Sequence, residues 1–347
     1  MNLLYFNKIT TNNHWGAENF LNEALKKNDV NTLCLDYEQH KYQLSNFVKN
    51  IRTSYDGVLV QRGVGYNFPI SILRNIHRPK ILLFTELVKR NFNQHYLLKS
   101  GAFDHIFVRS QNCYDFLIEK KWVSAERLSV MLSAALDIFL PENPVHKDID
   151  VLFVGAITER RKKILNQLSE QTNLTIQSIF GEDFYKAIQR SKIILNLHGS
   201  DFLDTETRVF ETLACKGFLV TEKLAGESPF ISGEHLVECD KIDDLSKTIG
   251  FYLNHPNMRE KITQQGFELV RNQHTYHHRA VVIKAKFNQI ISQYSLSKPI
   301  VNISGLRLSK YEENRLKLKD YGYGQVIKHY QFSKKLLKKM APKKPTL

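Results

Sequence analysis

The segment "ETRVFETLACKGFLVTE", residues 206–222, joins a short amphipathic helix to an apolar strand. Positions three and four apart lie on one face of a helix, so Thr207, Arg208 and Glu211 share one side. Apolar residues occupy the opposite side and would pack on a sheet, and Gly217 is a typical helix stop. The order of helix, glycine and buried strand indicates an α/β protein with a parallel sheet.

The strand that precedes this helix, "KIILNLH" (192–198), leads into a polar loop. The helix N-terminus therefore lies at the carboxyl edge of the predicted sheet, where α/β proteins bind ligands and backbone N–H groups favour phosphate. Glu211 can accept hydrogen bonds from two ribose hydroxyls, and Arg208 can pair with phosphate or hold Glu211 in place. An ordinary ion pair on a helix surface is the alternative that these residues leave open.

Two series of apolar strands and helices flank a segment at 133–150 that has two prolines and no clear period, and this segment is interpreted as a linker. The first series has a helix at 16–27 and strands at 2–6, 31–36, 56–61, 80–86 and 105–110. The second has strands at 150–155, 175–181, 192–198 and 218–222, and helices at 160–170, 182–190 and 205–216. Continuous apolar strands between helices predict two doubly wound parallel sheets.

Several classes of protein are not favoured by the sequence. It contains no GxGxxG, GxxxxGK[ST] or GxSxG motif, so dinucleotide, P-loop and α/β-hydrolase sites are not expected. The cysteines form no CxxC pair and are expected to be reduced core thiols: Cys34, Cys113, Cys215 and Cys239. Neither a signal peptide nor an apolar run of about 20 residues is present, so we expect a cytoplasmic protein.

The net charge of +14 is concentrated at the C-terminus. Residues 301–347 hold 12 Lys and Arg against 3 Asp and Glu, an excess of nine, which leaves about five for the first 300 residues. Residues 325–344 combine an apolar stripe with a lysine face, a pattern typical of helices that bind an anionic membrane surface. A solvated tail, a polyanionic acceptor and nucleic acid are the alternatives.

Residues 140–280 resemble the group 1 glycosyltransferases of the GT-B fold, specifically the family similar to the spore maturation protein CgeB. The family's strand end Leu-Asn-x-His is matched by residues 195–198, and its helix Arg-x-Phe-Glu-x-x-Ala-x-x-Gly by residues 208–217. Its closing His-x-Tyr-x-x-Arg pattern is matched by His274, Tyr276 and Arg279. Upstream, "DIDVLFVGAITERRKKIL" resembles the strand, glycine loop and arginine that open the family's C-terminal domain.

The resemblance implies a GT-B fold, in which two Rossmann-like, doubly wound domains face a central cleft. It places an acceptor-binding domain at 1–140 and a nucleotide-sugar-binding domain at 141–290. Residues 291–347 would then form helices that return to the first domain, followed by the basic tail.

The resemblance also implies a donor site. Glu211 would hold the ribose, Gly155 would allow close approach to the diphosphate, and Arg160 or Arg161 would neutralise that diphosphate as it leaves. The other implied donor contacts are Gly181, His198, Thr207 and Arg208. For His198, a structural role at the strand end is the alternative. Because arginines and helix dipoles can balance the leaving group, neither a metal nor a cofactor is expected.

Two features bear on the reaction itself. Many retaining GT-B enzymes carry a second glutamate eight positions before the ribose glutamate, and Leu203 stands there, so the stereochemistry stays open. In the first domain, His14 and Glu18 follow the first strand, and Glu86 ends another strand at the same edge. Each is a candidate general base for an acceptor hydroxyl, with a capping or surface role as the alternative.

The sequence thus predicts a metal-independent glycosyltransferase that moves a sugar from a nucleotide sugar to a hydroxyl of a cell-surface glycan or lipid-linked precursor. It would work in the cytoplasm, attached peripherally to the inner face of the membrane. The alternative is a protein that binds or glycosylates nucleic acid through its basic tail. Most of the excess charge lies in that tail and no RRM, KH or helix-turn-helix pattern occurs, so nucleic acid is the less favoured partner.

Overall fold

A computed structural model describes residues 1–7, 16–36, 55–61, 70–136, 145–199, 203–226 and 228–294. His14 and the basic segment 325–344 lie outside these ranges, as does part of the predicted linker. Within the described residues the chain forms two parallel sheets, one in each half, as the two series of strands predict.

The first sheet has six parallel strands in the order β2-β1-β3-β4-β5-β6. Its strands are β1 Asn2–Asn7, β2 Asn31–Asp36, β3 Gly57–Gln61, β4 Lys80–Phe84, β5 His105–Val108 and β6 Leu128–Val130. The described helices of this half are α1 Ala17–Lys27, α2 Ile70–Asn75, α3 His95–Lys99 and α4 Gln111–Glu119. Strands β3, β4 and β5 are buried throughout, which explains their unbroken apolar sequences.

The second sheet has five parallel strands in the order β11-β10-β9-β7-β8. Its strands are β7 Ile149–Val154, β8 Leu174–Gln177, β9 Ser191–Asn196, β10 Leu219–Glu222 and β11 Val237–Cys239. Its helices are α5 Glu159–Ser169, α6 Glu182–Gln189, α7 Thr207–Ala214, α8 Leu245–Asn254 and α9 Pro256–Gln273. Apolar clusters cover both faces of this sheet.

Strands β5, β7 and β9 end one or two residues earlier than their sequences suggested, and β4 and β8 end two and four residues earlier. Strand β4 stops at Phe84, so Thr85 and Glu86 lie in the following loop. Strand β8 stops at Gln177, because the backbone turns at Gly181, whose φ of 69° does not fit an extended strand. The last residues predicted for β4 and β8 therefore lie in loops at the carboxyl edges of the two sheets.

The last described helix, α10 Tyr276–Gln293, packs on the first sheet although it follows the second domain. Its Ala280, Ile283 and Phe287 are fully buried in a cluster with residues of β1, β3 and α1. A side chain at Gly57 would lie 2.6 Å from the Phe287 ring, so this glycine lets the helix approach the sheet. The return to the first domain therefore begins at α10, earlier than the expected boundary at 291.

The two chain segments that connect the domains are joined to each other by hydrogen bonds. Ala135 donates to the His274 carbonyl, and the Tyr276 amide donates to the Ala135 carbonyl, each at 3.0 Å. Arg279 also donates to the carbonyls of Leu132 (2.8 Å) and Ser133 (2.7 Å). Burial lowers the pKa of Arg279 to about 10. This arginine fixes the joint between the domains, beneath the cleft.

Candidate active site

The carboxyl edge of the second sheet brings a glycine turn against an arginine. Gly155 follows β7 with a φ of 146°, a conformation that favours glycine. A Cβ atom at this position would lie 2.8 Å from Nη2 and 2.9 Å from Nη1 of Arg208. The positive φ favours glycine, and the missing side chain lets the Arg208 guanidinium lie against this turn, so the two positions predicted separately from the sequence form one feature.

Arg208 lies in the first turn of α7 and is half-buried. Burial lowers its pKa and the nearby positive charge of Arg161 lowers it further, whereas the charges of Glu206 and Glu211 act to raise it. Within the described residues its guanidinium makes no hydrogen bond or ion pair. Buried guanidinium groups are normally paired, because an uncompensated buried charge is costly. The geometry is therefore that of a site prepared for an anion.

Glu211 lies one turn further along α7, and the structure brings it deep into the same region. Burial raises the pKa of its carboxyl to about 7, although Arg208 acts to lower it. Its charge contributes to the raised pKa values of Tyr185 and Tyr276, so both phenols lie near it. No hydrogen bond to the Glu211 carboxyl group occurs among the described residues. A carboxylate in this state has free lone pairs for hydroxyl donors.

The two arginines expected at the diphosphate differ in what they contact. Arg160 makes a bidentate ion pair with Glu222, with one N–O distance of 2.9 Å, and donates to the His198 carbonyl at 3.2 Å. Arg161 is buried, and among the described residues its guanidinium donates only to carbonyls, those of Leu197 (2.6 and 3.0 Å) and Ala156 (2.9 Å). The charge of Arg161 thus has no carboxylate bonded to it, whereas that of Arg160 is already neutralised.

His198 is buried at the end of β9 with both ring nitrogens occupied. Nδ1 lies 3.1 Å from a Glu206 carboxylate oxygen and Nε2 lies 2.7 Å from the Lys223 carbonyl. Burial alone would lower the pKa of His198, but the hydrogen bond and charge of Glu206 outweigh it and raise the pKa. Both partners are acceptors, so an imidazolium that donates to each satisfies the geometry. Neither nitrogen is left to contact a donor phosphate.

A pair of exposed apolar side chains follows two neighbouring strands at the carboxyl edge of the second sheet. Val154 and Gln177 are paired neighbours in β7 and β8, and Ile157 and Phe180 each follow three residues later. Phe180 is 75% exposed and Ile157 is 56% exposed. Gly181 lies directly after Phe180 and caps α6, whose Tyr185 lies near Glu211. The two loops therefore present apolar surface at the same edge of the sheet as Gly155 and the N-terminus of α7.

A cavity of about 240 Å³ lies between the first domain and the start of α7. Glu18 and Thr207 line it, and the Thr207 hydroxyl donates to that of Ser133 at 3.2 Å. Glu86 is not among the lining residues, and its carboxylate accepts from Asn91 at 3.3 Å in its own loop. Of the candidate bases within the described residues, the structure therefore brings Glu18 to the cleft and leaves Glu86 outside the cavity.

Sequence reasoning missed two residues of this cavity. Arg109 follows β5 and lines the cavity, and Tyr276 lines it from the start of α10. The rule that singled out Glu86, a polar residue at a strand end, applies equally to Arg109. Tyr276 was noted only as part of a motif. Its place in the cavity depends on α10 returning to the first domain.

The described residues contain no group of three or more His, Cys, Asp or Glu that could hold a metal ion. None of the described helices is long and apolar enough to span a membrane.

Comparisons with known proteins agree with this geometry. Residues 144–285 match the profile of a family described as glycosyl transferase-like. A search of curated protein sequences gave no significant match. The family match is broader than the CgeB-like group, which stays a prediction.

Solved structures share the two-domain architecture along nearly their whole length. Sucrose-phosphate synthase from Thermosynechococcus elongatus is 11% identical, with a TM-score of 0.62, and the match covers 84% of this chain and 99% of that one. The Anabaena protein HepE, solved with UDP-glucose, is 13% identical with a TM-score of 0.60, covering 84% and 100%. The lipopolysaccharide outer core galactosyltransferase WaaB is 13% identical with a TM-score of 0.51, covering 82% and 100%. The predicted GT-B fold is confirmed.

Proposed function

We propose that this chain, a glycosyltransferase of the GT-B fold, transfers a sugar from a nucleoside diphosphate sugar to a hydroxyl of a glycan or lipid-linked acceptor. The observation that carries the proposal is the pair Arg208 and Glu211. One is a half-buried cation and the other a half-buried carboxyl group, and neither side chain has a hydrogen bond among the described residues. A nucleoside diphosphate offers both missing partners, since it joins an anion to two hydroxyls.

In this proposal the diphosphate lies against the Gly155 turn. Arg208 pairs with it, Arg161 adds a second positive charge, and the N-terminus of α7 adds its dipole. Glu211 accepts hydrogen bonds from the ribose hydroxyls. The base extends over the apolar surface of Phe180 and Ile157. Arg160 keeps its partner Glu222 and supports the loop rather than the ligand.

The chemistry then needs two contributions from the protein. Glu18 lines the cavity on the first-domain side and takes the proton of the acceptor hydroxyl as it attacks the sugar. The two unneutralised arginines stabilise the negative charge that develops on the leaving diphosphate. Because these cations stand where a metal would otherwise act, we propose that transfer does not require a divalent ion.

Two relatives support the classes of substrate. HepE was solved with UDP-glucose, and WaaB is named as a galactosyltransferase of the lipopolysaccharide outer core. By analogy with these two proteins, we propose that this chain uses a nucleotide-sugar donor and an envelope glycan acceptor. We also propose that residues 325–344, with their surplus of lysines, attach the enzyme to an anionic inner membrane surface.

A screen of nucleotides tests the proposal. A bound ligand raises the melting temperature by mass action, so UDP, GDP, CMP, ADP and TDP, with their sugars, are compared in thermal-shift assays. We expect one base to stabilise the protein, with its sugar conjugate doing so in excess EDTA as well. If no nucleotide shifts the melting temperature, the proposed function is wrong.

A further inference from the structure

The cavity at the cleft has a composition that says something about the molecule it binds. Its lining combines apolar contacts from Leu21, Leu83 and Met131 with polar groups that point to a hydroxylated ligand. These polar groups are Glu18, Gln61, Thr85, Ser133, Thr207 and Tyr276. The volume of about 240 Å³ is below the range of drug-sized sites and suits a single sugar unit.

Two arginines also line this cavity, and they differ in how their charge is used. Arg279 directs its N–H groups at the carbonyls of the domain joint and at His274, so it is committed to the fold. Among the residues that the structure describes, Arg109 makes one ion pair, with Asp204 of the opposite domain, at 3.0 Å. Arg109 is therefore the cation that a ligand in the cavity can reach.

Asp204 is poorly suited to remain the permanent ion-pair partner of Arg109. The side chain of Asp204 is only 10% exposed, and that of Arg109 is 17% exposed, so the pair lies largely out of water. Burial raises the pKa of Asp204, Arg109 acts against this, and the neighbouring Glu206 raises the pKa again. A ligand anion that replaces Asp204 would keep Arg109 paired and would let the aspartate take up a proton.

We propose that the cavity binds an acceptor sugar that carries a carboxylate or phosphate, with Arg109 exchanging Asp204 for that anion. This inference rests on the proposed function, because it assigns the acceptor of the same site. The first domain supplies Arg109, Glu18, Gln61 and Thr85 to the cavity, so the acceptor rather than the donor is the source of the anion. The anion at Arg109 holds the sugar so that a hydroxyl faces Glu18.

Matched sugars test the proposal on the full chain. Glucose, glucuronate and glucose 6-phosphate are titrated by calorimetry into the wild type, Arg109→Gln, Asp204→Asn and the surface control Arg271→Gln. We expect at least one anionic sugar to bind the wild type tenfold or more tightly than glucose. Arg109→Gln should lose this preference, Asp204→Asn should strengthen anion binding several-fold, and the control should behave as wild type.

Several outcomes would overturn the proposal. It is wrong if no anionic sugar binds better than glucose, or if the preference survives in Arg109→Gln. Should Arg109→Gln fail to fold, Asp204→Asn decides, since unchanged anion binding in that variant excludes the exchange. UDP-glucose and UDP-glucuronate form a separate arm, because an Arg109-dependent preference confined to them would assign the anion to the donor. Nucleotide binding is measured on the same variants, so failure of the donor site is recognised independently.

Discussion

The second domain holds two arginine–glutamate pairs near one edge of its sheet, and their environments differ. Arg160 and Glu222 bind each other through two hydrogen bonds, and Glu222 also accepts the His198 amide at 2.6 Å. Arg208 and Glu211 share one face of α7 but make no hydrogen bond within the described residues. The first pair joins three chain segments, whereas the side chains of the second pair contribute no such hydrogen bonds within the described residues.

This difference indicates a structural role for the first pair and a ligand-binding role for the second. A satisfied ion pair holds strand ends and loops in place, and removing one partner leaves a buried charge. An unsatisfied pair weakens the isolated fold, and such costs are concentrated at sites where a ligand supplies the missing contacts. The predictions below each remove one side of this comparison.

Replacing Arg208 should have the largest effect on activity. In Arg208→Ala the diphosphate loses its open cation, so release of nucleoside diphosphate from the donor should fall about 10²- to 10³-fold. The value of kcat/KM for the donor, which needs no saturation, checks this, with Arg271→Ala, an exposed arginine of α9, as the control. A loss of less than fivefold would mean that Arg208 does not contact the leaving group.

Replacing Glu222 should instead affect the fold. Glu222→Ala leaves Arg160 without its partner and the His198 amide without its acceptor. We expect the free energy of unfolding to fall by about 3 kcal/mol. Urea denaturation measures this change, and Glu170→Ala at an exposed helix end is the control. If Glu222→Ala were as stable as the control but unable to bind nucleotide, the roles of the two pairs would be reversed.

Phe180 sharpens the comparison, because its ring is 75% exposed in the loop that follows β8. Loss of base stacking in Phe180→Ala should weaken nucleotide binding about tenfold, with little change in melting temperature. Phe92→Ala is a matched control, since Phe92 is 74% exposed on the first domain. Equal dissociation constants of the nucleotide for Phe180→Ala and wild type would mean that the base does not stack on Phe180.

The smallest expected effect is a gain in stability. The pKa of Glu211, about 7, lies above its ordinary value, so its ionised form is disfavoured in the folded protein. The contribution of Glu211 to the free energy of unfolding is therefore favourable below its pKa in the unfolded chain and is lost as the pH rises through about 7. Glu211→Gln removes this loss and should exceed the wild type in unfolding free energy by on the order of 1 kcal/mol at pH 8.

Urea denaturation of Glu211→Gln and wild type at pH 5 and pH 8 measures the difference. It should be small at pH 5 and grow toward pH 8. A difference independent of pH would show that ionisation of Glu211 is not the cause.

The fold could be predicted from the sequence, because parallel strands that are buried on both faces appear in it as continuous apolar runs. Strands β6 and β11 were missed, since three residues each are too few to show a pattern. On α7, helical spacing placed Arg208 and Glu211 on one face. It could not show that Gly155 faces Arg208, because that contact joins separate segments of the chain.

Contacts between distant segments account for the other differences. Arg160 was expected at the diphosphate, but Glu222 lies 62 residues away and its approach depends on the order of strands. His198 was expected to face the donor, but Glu206 and Lys223 occupy its ring. Leu203, where many retaining enzymes carry glutamate, is 47% exposed. Sequence spacing identifies neighbours on one element, whereas partners across the sheet require the fold.

The most direct test of the account is a calorimetric titration of the nucleoside diphosphate selected by the screen. It is titrated into the wild type, Glu211→Ala, Arg208→Ala and the control Glu170→Ala, with melting temperatures measured on each. The account predicts that the control binds as the wild type does, while Glu211→Ala and Arg208→Ala melt normally and bind too weakly to detect. Binding by folded Glu211→Ala within twofold of wild type would contradict it.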